Sequence, residues 1–280
     1  MRGASGNFTG LVCALGLLFG WANAASADQE PVDLELILAV DVSWSMDLDE
    51  QAFQRAGYVA AMRDPMVIDA IVGGGWGRIA VSYVEWAGFG LQTVVVPWML
   101  VDSAESAEAF AAGLESVRIG RLRRTSISSA LTFAETYFDQ NGYQGMRRVV
   151  DVSGDGANNQ GMPVTVLRDR LVAKGIIING LPIMIKVNNP GGYFGIPNLD
   201  IYYEDCVIGG PASFVIPVDD VNRFATAIRQ KMILEIAGRR PQVIPVQLTQ
   251  KAQLAGKKPR IDCLIGEKLW REWRERYDEW

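Results

Sequence analysis

The chain has 280 residues, 49% hydrophobic and 21% charged, an ordinary globular balance with ample material for a full core. Its net charge of −5 argues against nucleic acid as a partner, because phosphates are held by surplus Lys and Arg. It contains no histidine, which excludes Ser-His-Asp triads, Cys-His pairs, imidazole-based zinc sites and the usual general base near neutral pH.

Arg2 opens a leader, followed by an apolar run over residues 11–21 and by Trp21-Ala22-Asn23-Ala24-Ala25-Ser26-Ala27, whose small residues suit cleavage after Ala24 or Ala27. The run falls short of the roughly 20 residues that a membrane span requires. Residues 1–27 therefore read as a secretory signal peptide. The mature chain is expected to be exported, periplasmic in a Gram-negative cell and otherwise secreted, with no stable membrane span after cleavage. Cys13 does not fit a lipoprotein box, since Val12 precedes it where a small residue is needed. Cleavage leaves Cys206 and Cys263, which in an oxidising compartment read as one disulfide, with two unrelated buried thiols as the alternative.

Residues 34–40 are continuously apolar apart from Glu35, as in a central parallel strand buried on both faces, and the run stops at Asp41-Val42-Ser43-Trp44-Ser45. Residues 48–63 carry a helical apolar stripe that Asp64-Pro65 ends, and residues 65–72 form a short second helix closed by glycines. Residues 78–86 and 92–100 predict a hairpin with its second strand at a sheet edge, because Pro97 cannot donate to a ladder. Helices follow at 103–117 and from Ser126 to 140, then a strand at 147–152 that breaks at Ser153-Gly154-Asp155-Gly156. A helix over 162–174, a buried strand over 176–185, a short strand over 214–218 and a helix from Asp220 to Ala237 complete the rhythm. Such alternation implies an α/β, doubly wound sheet, mostly parallel with one antiparallel edge strand.

In open α/β sheets ligands bind at the carboxyl ends of central strands. Asp41, Ser43 and Ser45 stand at such an end, a carboxylate and two hydroxyls spaced by single residues. These are hard oxygen donors of low total charge, suited to a Mg²⁺-type ion that keeps water and an open position. The D-x-S-x-S pattern, then Arg124-Thr125-Ser126, then Ser153-Gly154-Asp155-Gly156 resemble in order and spacing the metal-ion-dependent adhesion site of von Willebrand factor type A domains. The resemblance covers residues 33 to about 237 and implies a von Willebrand A, Rossmann-like fold. It implies as metal ligands Asp41, Ser43, Ser45, Thr125 and Asp155, the aspartates acting directly or through water. Asp151 is the alternative to Asp155, although it sits within the strand. The runs at 57–61, 150–159, 206–211 and 231–238 resemble a family of exported bacterial von Willebrand A-like proteins of unknown function.

The chain thus divides into a signal peptide (1–27), a von Willebrand A-like domain (28–238) and a C-terminal tail (239–280). By the resemblance the expected function is binding rather than catalysis. The expected module takes Mg²⁺ or Mn²⁺ and is completed by an Asp or Glu carboxylate from a protein partner. A structural module with a silent metal site is one rival. A Mg²⁺-dependent hydrolase with Asp41 as nucleophile is the other, weakened because Ser43 stands where such enzymes place a second acid. Trp44 reads equally as an exposed contact or as core, and Asp47, Asp49 and Glu50 as helix N-terminal acids. In the tail, Leu269, Trp270, Trp273, Tyr277 and Trp280 recur at helical intervals, predicting an amphipathic helix that packs back on the domain, remote from the ion site. Docking of a partner is the second reading of this helix, and a membrane surface is disfavoured by its mixed charges.

Overall fold

The structure, a computed structural model, describes residues 29–185, 195–238 and 261–277. The signal peptide assigned to residues 1–27, most of the linker after 238 and Trp280 lie outside these residues.

A short strand β1 (Glu30–Val32) leads into β2 (Leu34–Asp41), α1 (Leu48–Met62) and α2 (Pro65–Val72). Strands β3 (Ile79–Trp86) and β4 (Gln92–Val101) form the hairpin, followed by α3 (Ala104–Ser116) and α4 (Ile127–Tyr137). Next come β5 (Tyr143–Gly145), β6 (Arg148–Gly154), α5 (Val164–Ala173), β7 (Ile176–Pro182) and a single turn α6 (Leu199–Tyr202). Helices α7 (Phe224–Ala237) and α8 (Ile265–Tyr277) close the fold. The main sheet has the order β4-β3-β2-β6-β7, parallel throughout except for the β3–β4 pair. This is the expected doubly wound sheet with one antiparallel edge.

Alternation along β2 shows why the sheet is covered on both faces. Leu34, Leu36, Leu38 and Val40 join one core with Tyr58 and Met62 of α1, Phe110 of α3 and Ile228 and Met232 of α7. Ile37 and Ala39 face the other way, toward Ile127 and Leu131 of α4 and Leu167 and Leu171 of α5. Each Leu or Ile buried in this way contributes roughly 1.5–3 kcal/mol. With β2 central, the loop after Asp41 emerges at the top of the sheet beside the loop after β6.

Several local details differ from the sequence expectation. Residues 214–218 make only isolated bridges, Gly180 with Val215 and Ile183 with Val218, and form no ladder strand. Helix α5 begins at Val164 rather than Met162, with Pro163 at its N-cap. The strand expected to reach Ile185 ends at Pro182. Sequence patterning also missed the small parallel sheet of β1 and β5, three residues each, too short to show a period.

Cys206 and Cys263 are joined in the expected disulfide, with Cα atoms 5.5 Å apart. It fastens α8 to the domain, and Ile261, Cys263, Ile265 and Leu269 pack against the second core. Among the described residues no helix is long and apolar enough to cross a membrane.

Candidate metal centre

The loop after β2 is held by its own side chains. The Ser43 amide donates to Asp41 Oδ1 at 2.7 Å, turning the backbone just past the strand. The hydroxyls of Ser43 and Ser45 lie 2.7 Å apart, and Ser45 Oγ donates to Asp155 Oδ1 at 2.6 Å. The acids that follow are explained by the helix: Asp47 caps α1, and Glu50 returns the bond to the Asp47 amide.

Thr125 is fixed from both sides by Asn159, which accepts from the Thr125 amide at 3.1 Å and donates its own amide to the Thr125 carbonyl at 2.9 Å. Next to it Arg124 has φ of 74°, the left-handed region that costs a residue with a Cβ. A Cβ built at Gly156 would sit 3.8 Å from Thr125 Oγ1, so Thr125 borders the Asp155-Gly156 turn. At Gly154 a Cβ would come within 2.8 Å of Asp41 Oδ2, so only glycine lets β6 pass this close to Asp41. The structure thus brings Asp41, Ser43, Ser45, Thr125 and Asp155 to one end of the sheet.

Asp41 is fully buried, and its Oδ2 has no hydrogen-bond partner. Burial first, then repulsion from Asp155, push its carboxyl well above the usual range, against the pull of Ser43. A buried carboxylate oxygen in this condition calls for a cation. Among the described residues no group of three or more His, Cys, Asp or Glu could hold a metal.

Asp151 is committed elsewhere. Its carboxylate pairs with Lys231 at 2.8 Å and accepts from the Tyr58 hydroxyl at 3.3 Å. Lys231 also pairs with Glu235, which accepts from Asn179 Nδ2 at 3.0 Å. Burial lifts Asp151 to about 7, with Lys231 opposing and Glu235 adding to the rise.

Residues 31–240 match the family described as "Protein of unknown function (DUF1194)". The chain belongs to that family. No curated protein matches the sequence. Among solved structures, this DUF1194 chain is similar to proximal thread matrix protein 1 of the mussel byssus, with a TM-score of 0.55 and 14% identity over 75% of this chain and 49% of that one. A further structure of that protein is described as having a zinc-occupied MIDAS motif. The chain is also similar to a von Willebrand factor type A protein from Catenulispora acidiphila, with a TM-score of 0.52 and 16% identity over 74% of this chain and 43% of that one. A third is the pilus adhesin SpaC from Lactobacillus rhamnosus GG, with a TM-score of 0.54 and 13% identity over 74% and 30%. The chain thus spans less than half the length of each. The fold of the DUF1194 chain is von Willebrand A-like.

Two contributors to the site were missed by sequence reading, the Arg55–Glu85 pair and the seat of the tail. Arg55 of α1 and Glu85 of β3 form a buried ion pair, and Glu85 also accepts from the Gly120 amide at 3.1 Å. With the Leu122 amide donating to Val42 O, this anchors the loop that carries Thr125. Nothing in the sequence links two charges 30 residues apart. Trp44, left open above, is 50% exposed with Arg123 over its ring at 4.2 Å. The tail is not remote from the centre. Asn158, three residues beyond Asp155, donates to Glu267 of α8 at 2.7 Å, and a Cβ at Gly266 would stand 2.1 Å from the Asn158 carbonyl oxygen.

Proposed function

We propose that this DUF1194 protein is an exported binding module that takes one Mg²⁺ or Mn²⁺ and docks a protein partner through an Asp or Glu carboxylate. Asp41, Ser43, Ser45, Thr125 and Asp155 would hold the ion. The observation that carries the proposal is the buried, unpartnered Oδ2 of Asp41 beside Asp155, at the head of a serine chain that links the two aspartates. Two carboxylates balance a divalent charge while the hydroxyls add none, so the bound ion stays electrophilic toward an external carboxylate oxygen. The zinc-occupied motif of the mussel protein supports the choice of a divalent cation.

Binding is favoured over hydrolysis because Ser43, hydrogen-bonded to Ser45, occupies the place of a second acid. Export is supported by the leader sequence and by the disulfide, which forms and persists in oxidising compartments.

Thermal unfolding of chelator-stripped protein tests the proposal. Mg²⁺ or Mn²⁺ should raise the melting temperature of the wild type, since a ligand that binds only the folded state stabilises it. The Asp41→Ala and Asp155→Ala variants should fold yet show no rise. An equal rise in both variants would place the ion elsewhere.

A further inference from the structure

Helix α8 does more than cover the core. Its apolar residues Ile265 and Leu269 pack inward, whereas Glu267, Trp270, Arg271 and Arg274 share another face at helical spacing. That face borders a cleft of about 350 Å³, whose opposite wall is Arg124, Asn159 and Gln160. Asn159 holds Thr125, and Arg124 directly precedes it, so the cleft adjoins the ion site. Asn158 donates to Glu267, and this single carboxylate stands among three arginines lining the cleft, which leaves the cleft positive in character. Among the described residues, Arg124, Arg271 and Arg274 have no ion pair with a carboxylate. Beside the loop that carries Ser43 and Ser45, Arg121 and Arg123 lie 5.8 and 4.2 Å from the Trp44 ring. A chain of net charge −5 thus gathers arginines around its one electrophilic point.

We infer that α8 and the Arg121–Arg124 loop form a basic rim that recognises an acidic protein segment at two points. One carboxylate meets the ion, and a second sits in the cleft between Arg124, Arg271 and Arg274. The inference rests on the ion-dependent docking proposed above. Guanidinium forks pair with carboxylates in bidentate geometry, which suits this task better than lysine. A sugar polyanion is disfavoured because sugars use open indole faces. Trp270 is capped by Arg124 at 4.0 Å and stacked on Trp273 at 5.0 Å, while Arg123 covers a face of Trp44.

Fluorescence anisotropy on the full mature chain tests this, with two labelled peptides of equal length in Mn²⁺. One carries a single Asp in a Gly/Ser background, the other an Asp followed by a run of Glu. The acidic peptide should bind on the order of tenfold tighter, the scale that a few charge pairs supply. The double variant Arg271→Glu/Arg274→Glu should erase that advantage and leave Mn²⁺ affinity unchanged. Gly266→Ala, which forces α8 off Asn158, should do the same without altering any charge. Control variant Arg223→Glu, on an exposed turn before α7, should keep the advantage.

An advantage that survives both α8 variants would overturn the inference. So would an oligouronate of matched charge binding as tightly as the peptide with the same arginine dependence. Arginine-dependent binding that persists in chelator would overturn the two-point docking and the ion's role together. Intact Mn²⁺ binding without peptide discrimination would overturn the rim alone.

Discussion

Ser45 Oγ donates to Asp155 Oδ1 at 2.6 Å, joining two loops 110 residues apart in sequence at the top of adjacent parallel strands. The bond fixes where the second carboxylate stands relative to Asp41. Ser45→Ala removes both the link and one oxygen donor. Mn²⁺ affinity should fall by about tenfold or more, the scale on which groups orienting metal ligands act, with little change in thermal stability because Ser45 is exposed. Unchanged affinity would contradict the role given to this serine.

Lys231 lies fully buried between Asp151 and Glu235 beneath the sheet end. Lys231→Met should destabilise the chain by about 3–5 kcal/mol, because it strands two buried carboxylates without their cation. Urea unfolding measures the loss. A cost below about 1 kcal/mol would show that neither acid depends on the lysine.

The parallel class of the sheet and the strand ends where the candidate ligands stand were legible because β2 and β6 are apolar runs with abrupt polar stops at Asp41 and at Ser153-Gly154-Asp155. Their meaning depends on local spacing, which sequence displays directly. Arg55 with Glu85, and Asp151 with Lys231, were illegible because each pairing exists only after distant elements pack, and a charged residue inside a helix reads as solvated. The tail was half legible. Its helical period and its cysteine were visible, yet its seat on Asn158 depends on one glycine, Gly266, whose missing side chain leaves no trace in a hydrophobic pattern.

Asp151 also sets a pH dependence. Its folded-state value of about 7 lies above the ordinary 3.8, so between those limits the folded chain holds a proton that the unfolded chain has released. The stabilisation linked to that proton is complete below the ordinary value and is lost as pH rises through 7. Asp151→Asn cannot titrate. The stability of the wild type relative to this variant, measured in EDTA, should therefore fall as pH is raised from about 5 to about 8. A difference that stays flat or grows over that window would contradict the assignment.

The disulfide closes a loop of 57 residues, for which chain entropy gives a stabilisation of about 4 kcal/mol, an upper figure if the unfolded chain is compact. Cys263→Ser should lower stability by up to that amount and make α8 more open to protease, while β2 and β6 keep the ion ligands in place. Equal stability with and without the bond would show that α8 is held by packing alone.

Isothermal titration of Mn²⁺ into the chelator-stripped mature chain, alongside Asp41→Ala, tests the proposed ion site most directly. One ion per wild-type chain and no measurable heat of binding in the variant are expected. Binding of equal stoichiometry and affinity in both proteins, or none in the wild type, would contradict an ion held at Asp41, Ser43, Ser45, Thr125 and Asp155.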